Sequence, residues 1–236
     1  MFDTLEALKH ILWPTRCAAC DVLVADPKSL ICDACRRSIR PPSAVENPDS
    51  TDDVFVCFAY EAAVTHLISN WKFHEDYAAQ RAIIQLINDR IPDMLNKIHA
   101  PACILPIPPH PKRLRERGFD PVWTLAKGMK NALKKNGIDV DFRDDILQRT
   151  RHTVRQASLT LDERRHNLDG AFQCINPLPN AQILLVDDVL TSGSTMNACA
   201  KILRNAGAND ILAVALAHPD SKDEPSHENK DEFAAQ

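Results

Sequence analysis

Ile183 to Thr195 reads ILLVDDVLTSGST, and the stretch changes character halfway along. Gln182 to Val186 is a run of Leu and β-branched residues that predicts a buried strand. It ends in Asp187-Asp188 and the turn-forming Thr191-Ser192-Gly193-Ser194. A helix is expected from Thr195 to Asn205, closed by Gly207, and a further strand over Asp210 to Leu216. Strand, loop, helix, glycine, strand is a βαβ unit. It predicts an α/β fold: a parallel sheet covered by helices on its faces.

In open parallel sheets, ligands bind beyond the C-terminal ends of the strands. There the sequence sets two carboxylates, Asp187 and Asp188, projecting into the crevice. A hydroxyl-rich loop at a helix start follows, with Thr191, Ser192, Gly193, Ser194 and Thr195. Successive N–H groups and a helix N-terminus make an anion cradle. Gly193 suits a tight turn or a close approach to a ligand. The loop has no lysine and no GxxxxGK[ST] pattern, so it is not a P-loop. One phosphate beside diol-binding carboxylates fits a ribose 5-phosphate better than a nucleoside triphosphate. The plain alternative is a βα turn whose Ser and Thr only cap the helix.

Working outward, Val54 to Tyr60 and Ala102 to Leu105 read as strands. Glu61 to Trp71, Tyr77 to Lys97 and a segment opening at Pro121 read as helices, with Pro92 placed to end or bend the second. KRLRERGFD is expected as a basic loop. Phe142 to Gln148 and Ala171 to Cys174 suggest short strands, and Thr160 to Asn167 a helix. An amphipathic helix is expected over residues 4–12.

The chain has 236 residues and a net charge of −4, enough for one real core with a small module beside it. No apolar run is long enough to span a membrane, and the N-terminus lacks the pattern of a secretory signal. A cytoplasmic location is therefore expected. Charge is uneven. Pro219 to Gln236 hold six acids and two lysines, whereas Pro106 to Gly170 hold fourteen Arg or Lys against nine acids, which favours an anionic ligand.

Of the eight cysteines, Cys17, Cys20, Cys32 and Cys35 form two Cys-x-x-Cys pairs. Four thiolates at this spacing can converge on one zinc ion and leave no open position, so the zinc is expected to be structural. The stretch PPSAVENPDSTDD after it reads as a linker. The expected organisation is a zinc-binding module over residues 1–45, a main domain over 46–218 and a disordered acidic tail over 219–236.

ILLVDDVLTSGST resembles the signature of type I phosphoribosyltransferases. The four-cysteine module, Trp71-Lys72-Phe73, LPIPPHPKRLRERGFD and RTRHTVRQASLTLDERRHNLDGAF extend that likeness. Together, in this order up to about residue 217, they resemble the ComF family, competence-associated phosphoribosyltransferase-like proteins with a zinc-ribbon-like module. The resemblance implies that Asp187 and Asp188 hold the ribose of 5-phosphoribosyl 1-pyrophosphate and that Thr191 to Thr195 hold its 5-phosphate. Mg²⁺ would be carried mainly by the pyrophosphate and hydroxyls. The stretch Pro106 to His110, feeding the basic loop, corresponds to the pyrophosphate site. Arg113, Arg115 and Arg117 offer charge-assisted donors for phosphate oxygens there, with Arg115 and Arg117 favoured for their place at the turn of Gly118, and Lys72 is a further ligand candidate. Arg155, Gln156, Arg164, Arg165 and Asn167 form a third polar group with no assigned task.

Two departures matter. Thr191 stands where the purine-salvage branch carries an acid, and a threonine cannot serve as general base at neutral pH, which argues against a 6-oxopurine substrate. Asp120 stands where the family usually shows Asn. The family link implies a role in DNA uptake during natural transformation. One reading is a transferase with an unidentified acceptor. The other is a non-catalytic protein that binds single-stranded DNA, with Trp71, Phe73, Phe119 and Trp123 as stacking candidates, or an adaptor for a helicase or uptake channel.

Overall fold

The computed structural model describes residues 15–26, 28–74, 76–150 and 170–220. The helices expected over residues 4–12 and 160–167, the group from Arg155 to Asn167, and the tail beyond Asp220 lie outside these residues. In chain order the elements are α1 (Asp33–Ser38), β1 (Asp53–Ala59), α2 (Ala62–His74) and α3 (Tyr77–Met94), the last continued by a 3-10 turn. Then come β2 (Ala102–Pro106), α4 (Pro111–Arg117), α5 (Pro121–Lys135), β3 (Asp141–Phe142), β4 (Leu147–Arg149) and β5 (Phe172–Cys174). β6 (Gln182–Val189), α6 (Ser194–Asn205) and β7 (Ile211–His218) complete the described fold.

Five strands form one sheet in the order β1-β7-β6-β2-β3, and every pairing is parallel. β6 lies at its centre. The period-two alternation of strands sorts its residues between two cores. Leu184 and Val186 join Ile104, Leu212 and Val214 on the face covered by α2, α3 and α5. Ile183 and Leu185 join Cys103, Leu105 and Ala213 on the face covered by α6 and the antiparallel pair β4-β5. Both faces are buried, which is why these strands read as continuous apolar runs. On the first face α3 and α5 approach closely at Gly128, where a Cβ would fall 2.2 Å from Ile84 Cδ1.

Three segments differ from expectation. KRLRERGFD is not a loop throughout, because Pro111–Arg117 is helical. His110 Nδ1 accepts from the Lys112 N–H at 3.1 Å, Pro111 takes the first turn, and Gly118 closes the helix at φ +79. Caps and proline preorganisation make this helix where apolar periodicity is lacking. Phe142 to Gln148 splits between two sheets, Phe142 pairing with β2 and Leu147 with β5. α3 runs through Pro92 to Met94.

PPSAVENPDSTDD is anchored at several points, with Pro48 and Thr51 buried. Thr51 Oγ1 bonds Asn47 Oδ1 and the Pro48 carbonyl, Arg204 donates to the Ser50 carbonyl, and Arg204 also pairs with Asp52. The Asp220 carboxylate accepts from the Ser43 N–H and hydroxyl at 2.9 and 2.8 Å and pairs with Arg40, which clasps the start of the tail to this segment.

The cysteine module shares the main core. Cys17, Ala18, Val24 and Ile31 pack with α2 and α3, and Asn70 Nδ2 donates to the Ala18 carbonyl at 3.0 Å. Its first half is a tight hairpin bridged at Arg16 and Leu23, and its second half opens α1.

Leu185 is fully buried in the central strand. Leu185→Ala is expected to lower unfolding free energy by about 3 kcal/mol, measured by urea denaturation. A loss under about 1 kcal/mol would mean that the α6 face is not a close-packed core.

Candidate functional site

β6 does not stop where its apolar run stops. It continues as a strand through Asp187, Asp188 and Val189, with Asp187 still paired to Ala215 of β7. Consecutive strand residues point to opposite faces, so the two carboxylates diverge before both reach the cavity at the strand's end. Asp188 turns to α2, where Lys72 Nζ lies 2.6 Å from Oδ2. The two side chains are only 15% and 18% exposed. Asp187 turns to the α6 and β4 side, where Arg149 and Cys199 are its electrostatic neighbours. Its Oδ1 accepts the Asp188 N–H at 2.8 Å.

This environment is hard on Asp187. The residue keeps some exposed area on the cavity wall, but its carboxyl is deeply enclosed. Burial pushes its pKa up to about 7, and the Asp188 charge adds to that. The Asp188 N–H, Lys72 and Arg149 pull the other way without prevailing. Burial and the Asp188 charge also raise the Tyr60 hydroxyl.

Past β6, the Leu190 N–H bonds the Ala217 carbonyl and the Leu190 carbonyl meets His218 Nδ1 at 2.6 Å, which fixes the loop to β7. Gly193 then adopts φ +69 and begins α6 with no side-chain cap. The first turn therefore opens with backbone N–H groups beside the cavity, and Thr191, Gly193, Ser194 and Thr195 line the wall there. Ser192 is not on that wall, and its Oγ lies 3.0 Å from Ser194 Oγ. A Cβ on Gly193 would meet Pro48 and Leu190 at ordinary contact distances, so the backbone angle alone demands glycine.

Ile107, Pro108 and Pro109, Arg113, Arg117 and Arg149 also line the cavity. Arg113 and Arg117 stand one helical turn apart on α4 and share the cavity. Arg115, expected beside Arg117, is exposed and lies outside the cavity wall. That expectation rested on a loop, and in a helix the spacing of two sends its side chain elsewhere. Burial lowers the pKa of Arg117, with Asp188 opposing. Arg149 is likewise lowered by burial and by Arg113, and its guanidinium lies 5.0 Å from the Phe172 ring centre. Arg149 was missed in the sequence, where it closes a short strand with no apolar neighbour beyond it. Asp120 also reaches the wall while Oδ1 caps α5, accepting from Val122 and Trp123 at 2.9 and 3.1 Å. Asn would serve equally as an N-cap.

The four Sγ atoms of Cys17, Cys20, Cys32 and Cys35 lie within 4.8 Å of one another, and Cys20 and Cys32 are 3.7 Å apart. A tetrahedral zinc with Zn–S bonds of about 2.3 Å would set its sulfurs about 3.8 Å apart. The cluster fits a structural zinc.

Fold and site together define a type I phosphoribosyltransferase-like domain joined to an N-terminal four-cysteine module. A family model described as phosphoribosyl transferase domain matches residues 125–235. Competence protein F of Haemophilus influenzae is 26% identical over 225 residues, covering 86% of this chain and 96% of that protein. Competence protein ComFC of Streptococcus pneumoniae is 24% identical over 159 residues, 67% of this chain and 65% of that protein. The DNA utilization protein YhgH of Escherichia coli K12 is 27% identical over 165 residues, 66% of this chain and 68% of that protein. These matches bear out the resemblance to the ComF family of phosphoribosyltransferase-like competence proteins.

Cys17→Ser is expected to lower bound zinc, read by atomic absorption, and to destabilise the packing of the module on α2. A full equivalent of zinc in the purified variant would overturn the four-ligand set. Asp187 makes a second prediction. A carboxyl with a raised native pKa binds its proton more tightly folded than unfolded, so stability falls as pH rises from about 4 to about 7 and is flat above. Asp187→Asn keeps an oxygen for the Asp188 N–H and carries no charge. It is expected to be more stable than the parent by roughly 1 to 3 kcal/mol at pH 8, with the difference vanishing near pH 4. Thermal melts across that range check the sign.

Proposed function

We propose that the cavity binds 5-phosphoribosyl 1-pyrophosphate with Mg²⁺ and that the protein serves DNA uptake in natural transformation. The observation that carries the reading is the set of charges gathered on one cavity. An uncapped helix N-terminus, two carboxylates on consecutive residues, and Arg113, Arg117 and Arg149 all line it. This set suits a ligand that carries a phosphate, a diol and a diphosphate. The uncapped turn of α6 would take the 5-phosphate. Asp187 and Asp188 would accept from the ribose hydroxyls, with Lys72 sharing its charge between Asp188 and the ligand. The arginines would bind the diphosphate by charge-assisted hydrogen bonds.

The donor set fits a magnesium ion brought by the ligand. Two carboxylates, one already paired with Lys72, are too few for a protein cage, and Mg²⁺ usually keeps water and phosphate oxygens. Bound there, Mg²⁺ would offset diphosphate charge. If the protein turns the ligand over, the anomeric C–O bond breaks and pyrophosphate leaves with the electron pair. The acceptor's nucleophilic atom then bonds that carbon and gives up its proton. Such a step rests on electrostatic stabilisation and positioning, with no covalent protein nucleophile. The names of the competence relatives support the link to DNA uptake, and a cytoplasmic location is proposed with it.

Isothermal titration of the sugar diphosphate with Mg²⁺ into zinc-loaded protein is expected to show micromolar binding. The double variant Asp187→Asn, Asp188→Asn should weaken it by about a hundredfold or more while the circular dichroism spectrum is kept. Unchanged affinity in that variant would overturn the assignment.

A further inference from the structure

Among the described residues, three carboxylates line the cavity, and the diol of the proposed ligand engages two of them, Asp187 and Asp188. The third is Asp120, half-buried at the head of α5. One of its oxygens is occupied: Oδ1 accepts from the Val122 and Trp123 N–H groups at 2.9 and 3.1 Å, which holds the carboxyl in place. The other, Oδ2, forms no hydrogen bond or ion pair with a described residue. Capping needs one oxygen, and Asn supplies it as well as Asp does. The carboxylate adds a second acceptor and a negative charge, in a cavity where Asp187 and Asp188 already repel. That charge is costly to enclose, and the cap does not require it.

The neighbours of Asp120 locate it within the cavity. Asp188 and Arg117 both act on it electrostatically, and Asp188 acts on Arg117 in turn. On the reading above, Asp188 takes a ribose hydroxyl and Arg117 a diphosphate oxygen. The C–O bond that joins ribose to diphosphate then falls between those two residues, beside Asp120. Burial raises the pKa of Asp120 and the Asp188 charge adds to it, while the Trp123 and Val122 N–H groups and Arg117 oppose. A carboxylate raised in this way is a stronger proton acceptor. Other polar side chains on the wall are unsuited to that work. The arginines keep their protons, Thr191 is no base at neutral pH, and Lys72 is paired with Asp188.

We propose that Asp120 is the general base of the transfer and that the acceptor is a neutral N–H or O–H nucleophile. As the anomeric C–O bond breaks, its electron pair leaves with pyrophosphate. The lone pair of the acceptor's nitrogen or oxygen forms the new bond to that carbon, and the acceptor's proton passes to Asp120 Oδ2. An anionic acceptor has no such proton to give up and would face three carboxylates. The inference rests on the reading of the cavity as a sugar diphosphate site, and it adds the chemical class of the acceptor.

Water is itself a neutral O–H nucleophile, so the test measures pyrophosphate released from the sugar diphosphate by the zinc-loaded full chain with Mg²⁺. The parent is expected to release it slowly. Asp120→Asn keeps the cap and should slow release by about a hundredfold or more. Its affinity for the sugar diphosphate, by calorimetry, should be equal or tighter, since a like charge is removed. Asp120→Ser also caps α5 and should behave alike. Azide attacks carbon without a proton to lose, so it should restore release in both variants and leave the parent unaccelerated. Release at the parental rate in Asp120→Asn, or a loss that azide leaves uncorrected, would overturn the proposal and leave Asp120 as a cap. A parent that binds the sugar diphosphate and releases no pyrophosphate would overturn it too, with the cavity's reading intact. A parent that does not bind the sugar diphosphate would overturn that reading and this inference together.

Discussion

Asp187 and Asp188 repel each other across a single peptide bond at the end of a buried strand, and the surroundings of the site answer that repulsion. The pleat of β6 separates the two side chains, which would be closer on a loop. Lys72 meets one from α2, and Arg149 lies near the other from β4. The compensation is incomplete, since Asp187 is still pushed up to about 7 by burial and by its neighbour. A pair held in this way gains from any ligand that brings hydroxyl donors or a cation. The site is thus organised around an unfavourable term that binding relieves, in a low-dielectric pocket where such terms are large.

The same strand explains why that arrangement is rigid. β6 is flanked by β2 and β7 and covered on both faces, so its end cannot shift without disturbing two cores. Loop flexibility is confined by Leu190, whose backbone N–H and C=O are both tied to β7. Gly193 then turns the chain by its left-handed angle and delivers α6 to the cavity. Rigid placement of donors matters for recognising a small charged ligand, because little ordering remains to be done on binding.

What the sequence revealed divides along physical lines. β6, α6 and β7 were legible because local signals agree: a β-branched run, turn residues, an amphipathic helix and a closing Gly. The carboxylates and the Thr191 to Thr195 loop came with them, since their place is set by the end of a strand. α4 was not legible as a helix, for it has one apolar residue in seven and owes its form to His110, Pro111 and Gly118. With that helix unread, Arg115 was set beside Arg117, whereas Arg113 is the residue that shares the cavity wall with it. Arg149 was hidden for another reason: its strand is three residues long and pairs with residues more than twenty positions later. The stretch expected as a linker holds no helix and no strand before Asp53, but its partners Arg204 and Asp220 are distant in sequence and leave no local trace.

Asn70, Trp71 and Lys72 follow one another on α2, each turned about 100° from the last. Asn70 grips the cysteine module, Trp71 plugs the core, and Lys72 sits on Asp188. A single turn of helix therefore meets three neighbours at once. The four-cysteine module is one of its footings. A zinc held by those cysteines would lie outside the cavity's chemistry, yet it would brace the turn of helix from which the lysine meets its carboxylate.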